Sequence, residues 1–447
     1  MRLWNDKLAR ASLFAVAGSA VAIGFAACSS SSTPSAQAGS DGGPPPSDGS
    51  APPADGRASE DAAAEDAGAL DAGADVDAAP VDAALPPFAV IGSIPVGGMP
   101  TALAFNPASN VLYVALAQGG VGSGIAVVDA AQNVVASTIA IPGDASAPPP
   151  IAMMAVDYGA SVLYAIDANP AGQTLYAIDI AGVSNSVVAA LPIGSAQAIQ
   201  VDSTAHVAYV LGGGAPATPD GGANAVTPVV VTAISGGGTD AGASTELDDL
   251  ALTPATSIAF DALTERLYVC GPNAVEASNK TLDLAALDVL SAQTLSPLDA
   301  QQSFAKATAI ACLSGWGGAA VVTRAAAAVD FVGVDSGTVS LPATLVPVLA
   351  TGAGGTVSQS VAIFGEDSTS KALEVAAVSW LRDGGAQITL PVTPTPFDAG
   401  AASWSSVTQA SASGGVFRVY LTYAAPDDAG AFVVTPNVVY ASVEVEP

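Results

Sequence analysis

The chain has 447 residues, with 40 Asp or Glu against 11 Lys or Arg and a formal net charge of −29. Nucleic acids and anionic lipid surfaces attract proteins through clustered Lys and Arg side chains, so this balance excludes nucleic-acid binding and adsorption to anionic lipid. Half of the residues are hydrophobic and only 11% are charged, which predicts many short buried strands.

The first 27 residues have the layout of a secretory signal. Arg2, Lys7 and Arg10 precede an apolar run of 17 residues, from residue 11 to residue 27. A membrane-spanning helix needs about 20 apolar residues, so the run favours a cleaved signal over a permanent anchor. It ends in Phe25-Ala26-Ala27-Cys28, and Ser29 follows.

The residues around Cys28 resemble the lipobox of bacterial lipoproteins, although Phe25 stands where that family usually has an aliphatic residue. The resemblance implies that the signal is cut before Cys28 and that the cysteine is lipidated. Two or more acyl chains hold a protein stably on a membrane. The non-acidic Ser29 resembles an outer-membrane sorting signal, so we expect a lipid-anchored protein of the cell envelope, on the outer membrane. A plain secretory signal is the alternative.

Residues 28–86 predict a disordered tether. They consist mainly of Ala, Asp, Gly, Pro and Ser, and they contain 11 acidic residues against one Arg. Such a segment cannot bury enough apolar surface to offset the entropy lost on ordering. A flexible chain of this length spans on the order of 40–45 Å. Without residues 1–27 the net charge is −31, which favours neutral or cationic partners.

Residues 87–447 predict an all-β domain, because short apolar runs alternate there with Gly, Asn, Asp and Pro. The clearest unit has four apolar segments, which end near Asn106, Ala115, Asp129 and Ile141. This unit resembles the YVTN-type repeat of bacterial β-propellers. Seven units of decreasing similarity follow one another, so the resemblance implies a seven-bladed β-propeller, with six or eight blades as alternatives.

The two ends of this domain predict how the ring closes. Phe88–Val96 matches the fourth strand of the repeat but precedes the first unit, and Val438–Val445 occupies the third-strand place of the last unit. We therefore expect the N-terminal strand to complete the last blade, which would remove exposed sheet edges. Gly212–Gly222, Ser235–Ser244 and Asp427–Ala431 are predicted loops.

His206 is the only histidine, and it lies at the turn into a predicted strand. A Ser–His–Asp or Cys–His site would have to use it, but the sequence has no Gly-x-Ser-x-Gly nucleophile motif. We interpret His206 as a solvated turn residue and predict no catalytic residue. A zinc site needs three or four ligands, usually His or Cys, so we predict no metal site.

Cys270 and Cys312 lie in apolar strands of neighbouring units. A disulfide between them is compatible with the oxidising conditions outside the cytoplasm, and two buried thiols are the alternative. Trp316, Trp380 and Trp404 each follow a strand of small residues, so we expect core positions rather than a ligand shelf.

Five carboxylates recur at equivalent predicted strand ends: Asp157, Asp179, Asp202, Asp261 and Asp288. Asp at such a position accepts hydrogen bonds from the backbone of the following turn, and we favour this role. A ring of calcium ligands at one rim of the propeller is the alternative.

These observations predict a monomeric, lipid-anchored, extracytoplasmic β-propeller that acts as a binding or scaffolding module. The expected partner is an envelope protein, a peptide or another neutral or cationic ligand, and the membrane is contacted through the lipid alone. No cofactor is expected, with calcium as the alternative. The rival functions are a propeller hydrolase of the lactonase type, for which no matching motif is found, and a calcium-binding surface protein.

Overall fold

The computed structural model describes residues 88–444, except 118–123, 143–149, 170–171, 183–184, 194–195, 212–224, 232–238, 242–244, 247–256, 263, 273–283, 292–301, 306, 314–317, 324–326, 334–336, 355–357, 382–394, 414–415 and 427–431. The predicted signal, Cys28 and the predicted tether, residues 28–86, lie outside the described residues. None of the described residues belongs to a helix long and apolar enough to cross a membrane.

The described strands form seven antiparallel sheets of four or five strands, which we number I to VII along the chain. Sheet I contains β2 (Met99–Asn106), β3 (Val111–Ala117), β4 (Gly124–Asp129) and β5 (Val134–Ala140). Sheet II contains β6 (Ile151–Asp157), β7 (Val162–Asp167), β8 (Gln173–Asp179) and β9 (Ser186–Ile193). Sheet III contains β10 (Ala198–Asp202), β11 (Val207–Leu211), β12 (Ala225–Val231), β13 (Thr239–Ala241) and β14 (Thr245–Glu246).

The remaining sheets lie over the weaker repeats. Sheet IV contains β15 (Ser257–Asp261), β16 (Arg266–Pro272), β17 (Leu284–Ser291) and β18 (Gln302–Ala305). Sheet V contains β19 (Ala307–Leu313), β20 (Gly318–Thr323), β21 (Ala328–Gly333) and β22 (Gly337–Ser340). Sheet VI contains β23 (Leu345–Gly354), β24 (Ser358–Asp367), β25 (Ala372–Leu381) and β26 (Thr395–Ala401). Sheet VII contains β27 (Ser403–Ser413), β28 (Val416–Pro426), β29 (Phe432–Val434), β30 (Asn437–Glu444) and β1 (Phe88–Pro95).

The burial of each strand follows its position in its sheet. The central residues of β3 are buried without alternation, whereas β5 exposes all but one of its residues. A strand covered on both faces selects a continuous apolar run such as Leu112-Tyr113-Val114-Ala115-Leu116, and an outer strand does not. The repeated four-stranded antiparallel sheets and this gradient are typical of β-propeller blades.

The hydrophobic core lies between consecutive sheets. Sheets I and II share one apolar cluster, and sheets II and III share another. Aromatic pairs connect other neighbours: the rings of Phe364 and Trp404 lie 5.6 Å apart between sheets VI and VII. The rings of Phe105 and Tyr420 lie 6.1 Å apart between sheets VII and I. Each sheet is therefore stabilised by apolar surface that its neighbours cover.

The first strands of the seven sheets contact one another in cyclic order. The contacts run through β2, β6, β10, β15, β19, β23 and β27, and β27 also contacts β2. Side-chain hydrogen bonds join two pairs of these neighbours. Thr101 Oγ1 of β2 donates to Ile151 O of β6 at 2.6 Å, and Thr351 Oγ1 of β23 donates to Gln409 Oε1 of β27 at 3.0 Å.

Strand β1 belongs to the last sheet although it begins the described chain. It pairs antiparallel with β30, from Phe88 opposite Val443 to Pro95 opposite Asn437. Phe88 is buried in the core between sheets VI and VII, and Ile94 is buried in the core between sheets VII and I. The N-terminal strand thus contributes side chains to two neighbouring cores.

Two expectations from the sequence are wrong in detail. The predicted loop Ser235–Ser244 contains β13, which pairs with β12. Asp288 does not end a strand, because it lies inside β17 opposite Val269. In both cases, pairing with a neighbouring strand extends the sheet across a segment whose composition suggested a turn or a strand end. The predicted loops Gly212–Gly222 and Asp427–Ala431 lie outside the described residues.

Candidate functional site

A recurring turn joins the first and second strands of sheets I to IV. Each turn starts with Asn or Asp, and the residue four places on has a positive φ: 54° at Asn110, 55° at Ser161, 59° at His206 and 51° at Glu265. Asn and His are among the side chains that enter this backbone region most readily. These turns place polar side chains next to each other at the same end of neighbouring first strands.

Asp157, Asp179 and Asp202 accept hydrogen bonds from the backbone of the turns that follow them, as the sequence predicted. The Asp202 carboxylate accepts hydrogen bonds from the backbone N–H groups of Thr204 and Ala205, at 2.8 and 3.0 Å. Asp157 accepts from the Ala160 N–H at 2.9 Å, Asp179 from the Ala181 N–H at 2.9 Å, and Asp261 from the Thr264 hydroxyl at 2.5 Å. Among the described residues, no group of three or more His, Cys, Asp or Glu could hold a metal ion.

Replacing Asp202 by Ala is expected to lower the free energy of unfolding by about 1–3 kcal/mol, since the backbone N–H groups of two turn residues lose the carboxylate that accepts their hydrogen bonds. Asp202→Asn is expected to cost much less, because Asn106 caps the equivalent turn of sheet I through its Oδ1. Urea unfolding of the two variants measures the difference. Equal losses would show that the hydrogen-bond acceptor is not what matters at this position.

One of these turns contacts its neighbour directly. The Nδ1–H of His206 in sheet III donates to the Asp157 carboxylate of sheet II, with Nδ1 at 3.1 Å from Oδ2 and 3.3 Å from Oδ1. The Asp157 side chain is fully buried, whereas the imidazole is 49% exposed. His206 is therefore a half-exposed turn residue, as predicted, and it also pairs with a buried carboxylate, which the sequence did not predict.

Backbone and hydroxyl contacts surround this pair. The Tyr158 N–H donates to Ser203 Oγ at 3.3 Å, and Ser203 Oγ lies 3.5 Å from the carbonyl oxygen of Val156. The approach is so close that a Cβ on Gly159 would come 2.2 Å from the carbonyl oxygen of Ser203. Because the turns of sheets II and III approach each other so closely, only glycine fits at position 159.

Burial has the largest effect on the pKa of the Asp157 carboxyl. Removal from water raises the pKa of its carboxyl, and the hydrogen bond from Ala160 and the charge and hydrogen bond of His206 oppose the rise. Because the pKa of Asp157 is higher in the folded chain, its protonated carboxyl contributes to stability at low pH. This contribution is lost as the pH rises through the pKa of Asp157 in the folded chain. At neutral pH, His206 therefore offsets part of the cost of a buried carboxylate.

Asp157, His206 and Ser203 connect sheets II and III. An Asp–His pair next to Ser203 has the residue types of a catalytic triad. However, the contacts of Ser203 Oγ are with the backbone of Tyr158 and Val156, so this hydroxyl serves the junction between the sheets.

The structure places the other candidate residues in separate sheets. Cys270 is buried in β16. Cys312 belongs to β19, but its side chain lies outside the described residues, so their disulfide stays a prediction. Trp404 is buried, as predicted, and its Nε1–H donates to Gly365 O at 2.9 Å. Trp316 and the side chain of Trp380 lie outside the described residues.

The comparisons with known proteins give fold similarity alone. No protein-family model matches the sequence, and a search of curated proteins gives no match. Among solved structures, the RRP9 WD40 repeats match with a TM-score of 0.49 and 10% identity, over 80% of this chain and 97% of that chain. The Dos1 propeller matches with a TM-score of 0.45 and 13% identity, over 80% and 94% of the two chains. Streptogramin B lyase matches with a TM-score of 0.47 and 9% identity, over 79% and 97%.

Proposed function

We propose that this protein is a lipid-anchored β-propeller of the cell envelope that binds or scaffolds another envelope component. Sheets I to VII are its seven blades, and β1 closes the ring. The cyclic order of contacts between the first strands, in which β27 meets β2, carries the proposal. A closed ring supports loops on a rigid frame, and in such folds function resides in sites built on those loops.

The closure of the ring is supported by the last sheet. β1 supplies its fourth strand by pairing with β30, and the Phe88 and Ile94 side chains enter the cores on either side. If the chain formed an open row of sheets, sheet VII would present an uncovered face. Instead Tyr420 of sheet VII packs with Phe105 of sheet I.

The first 86 residues favour a place of action outside the cytoplasm. A basic start, a short apolar run and Cys28 favour export and lipidation, and Ser29 favours the outer membrane. The acidic, Pro-containing tether would then hold the propeller away from the lipid surface while leaving it free to rotate. The negative charge of the exported chain favours a neutral or cationic partner.

Replacing Cys28 by Ala is expected to release the protein from the membrane fraction and to abolish its labelling by a radioactive fatty acid. The reason is that the thiol is the proposed site of acylation, and no other feature of the chain is proposed to hold it on the membrane. Cys270→Ala is the matched control, since it removes a buried thiol and should leave both labelling and fractionation unchanged. Unchanged labelling of the Cys28 variant would refute the anchor.

The binding role is tested by capture from detergent-solubilised envelope on immobilised full-length protein. We expect a partner that an excess of free protein displaces and that added salt weakens, because ionic attraction to an acidic chain is screened. Absence of any displaceable partner would contradict the binding role without affecting the anchor, which the Cys28 variants test separately.

A further inference from the structure

We infer that Asp157 and His206 form a latch between sheets II and III whose strength depends on the charge of Asp157. The two residues are 49 positions apart and belong to different sheets, yet Nδ1 of His206 lies 3.1 Å from the carboxylate. His206 is the only histidine of the chain. The inference goes beyond the proposed binding role, because it concerns how two neighbouring blades are held together.

The backbone conformation of His206 does not require histidine. Its φ is 59°, and the equivalent or similar turns have Asn110 at 54° and Asn133 at 56°. Asparagine would therefore satisfy the backbone at position 206. The feature that asparagine lacks is an imidazole long enough to reach the carboxylate of the neighbouring sheet.

The cap of the turn in sheet II does not require the charge of Asp157. Asn106 caps the equivalent turn of sheet I, where its Oδ1 accepts from the Ala108 and Ser109 N–H groups at 3.0 and 3.3 Å. The cap at position 157 therefore needs only an acceptor oxygen, and the negative charge of Asp157 is not required for it. A buried charge is tolerated when a partner compensates it, and His206 is that partner.

Other titratable side chains lie at this end of sheets II to IV. Among the described residues they are Tyr158, Tyr164, Asp179, Asp202, Tyr209, Asp261, Glu265 and Arg266. Asp202 and Asp179 accept hydrogen bonds from their own turns. At the next junction the residue equivalent to His206 is Glu265, which lies near Tyr209, so a carboxylate stands there in place of an imidazole. The carboxylate–imidazole contact is thus particular to sheets II and III.

The test is a double-mutant cycle in the full chain at neutral pH, read by thermal unfolding. His206→Asn is expected to lower the midpoint by about 2–4 °C, because it leaves the buried carboxylate without its partner. Asp157→Asn keeps the cap, removes the charge and is expected to change the midpoint little. In the Asp157→Asn background, His206→Asn is expected to lower the midpoint almost no further, and this comparison decides the test.

Hydrogen exchange locates the effect. The Tyr158 N–H donates across the junction to Ser203, so its exchange is expected to quicken in His206→Asn and to return to the parent rate in the double variant. Ser161→Asn is the matched control, since Ser161 occupies the same place in the turn of sheet II, with a φ of 55°. This variant should change neither the unfolding midpoint nor the exchange rate of the Tyr158 N–H.

Two results would overturn the latch: a midpoint for His206→Asn equal to that of the parent, or the same loss in both backgrounds. If His206→Asn does not fold, His206→Gly, which also accepts a positive φ, replaces it in the cycle.

Discussion

Deletion of residues 88–96 is expected to leave a chain that aggregates and no longer unfolds in one cooperative step. The deletion removes β1, which supplies the outer strand of sheet VII and side chains to the cores on both sides. β30 would then expose an unpaired edge, which is a template for pairing with other chains. Size-exclusion chromatography and calorimetry measure the two effects.

Two isoleucines of β1 provide a sharper version of this experiment. Ile94 is 1% exposed and Ile91 is 54% exposed. Ile94→Ala is expected to lower the free energy of unfolding by about 2–5 kcal/mol, because it leaves a cavity between sheets VII and I. Ile91→Ala should change it by about 0.5 kcal/mol or less. Equal effects, or a monomeric deletion variant that melts like the parent, would contradict the role of β1 in the proposed ring.

Gly159→Ala is expected to destabilise the junction of sheets II and III by about 1–3 kcal/mol or more, as overpacking does elsewhere. The added Cβ would lie 2.2 Å from the carbonyl oxygen of Ser203 and 2.8 Å from Cε1 of His206. The first of these is a backbone atom, so a side-chain rotation cannot relieve the clash and the two turns must separate. Urea unfolding measures the loss, and faster amide exchange at Tyr158 shows where the turns separate.

Gly92→Ala is the matched control, because a Cβ there meets nothing within 4 Å. Both substitutions reduce the freedom of the unfolded chain equally, so their difference isolates the clash. A Gly159 variant as stable as the Gly92 variant would show that the two turns are not in the close contact described.

Much of the fold could be predicted from local pattern. The apolar run of Val111–Ala117 and the Asn-Pro turn before it specify a buried strand and its start, since strand and turn preferences depend on nearby residues. The capping role of Asp157 and Asp202 could be predicted for the same reason. Asp288 shows the limit, because it lies inside β17, where pairing with β16 extends the strand past the predicted turn residue.

The sequence by itself determined the properties that depend on composition and local order: the acidic charge, the all-β repeats and the turn-capping carboxylates. Export and lipidation of the first residues stay predictions from the same local order. Only the tertiary structure decided which sheets are neighbours, and hence that His206 meets Asp157 and that Gly159 must lack a side chain. The physical reason is that contacts between sheets depend on the packing and twist of whole blades, so two turns 49 residues apart carry no local signal of their meeting.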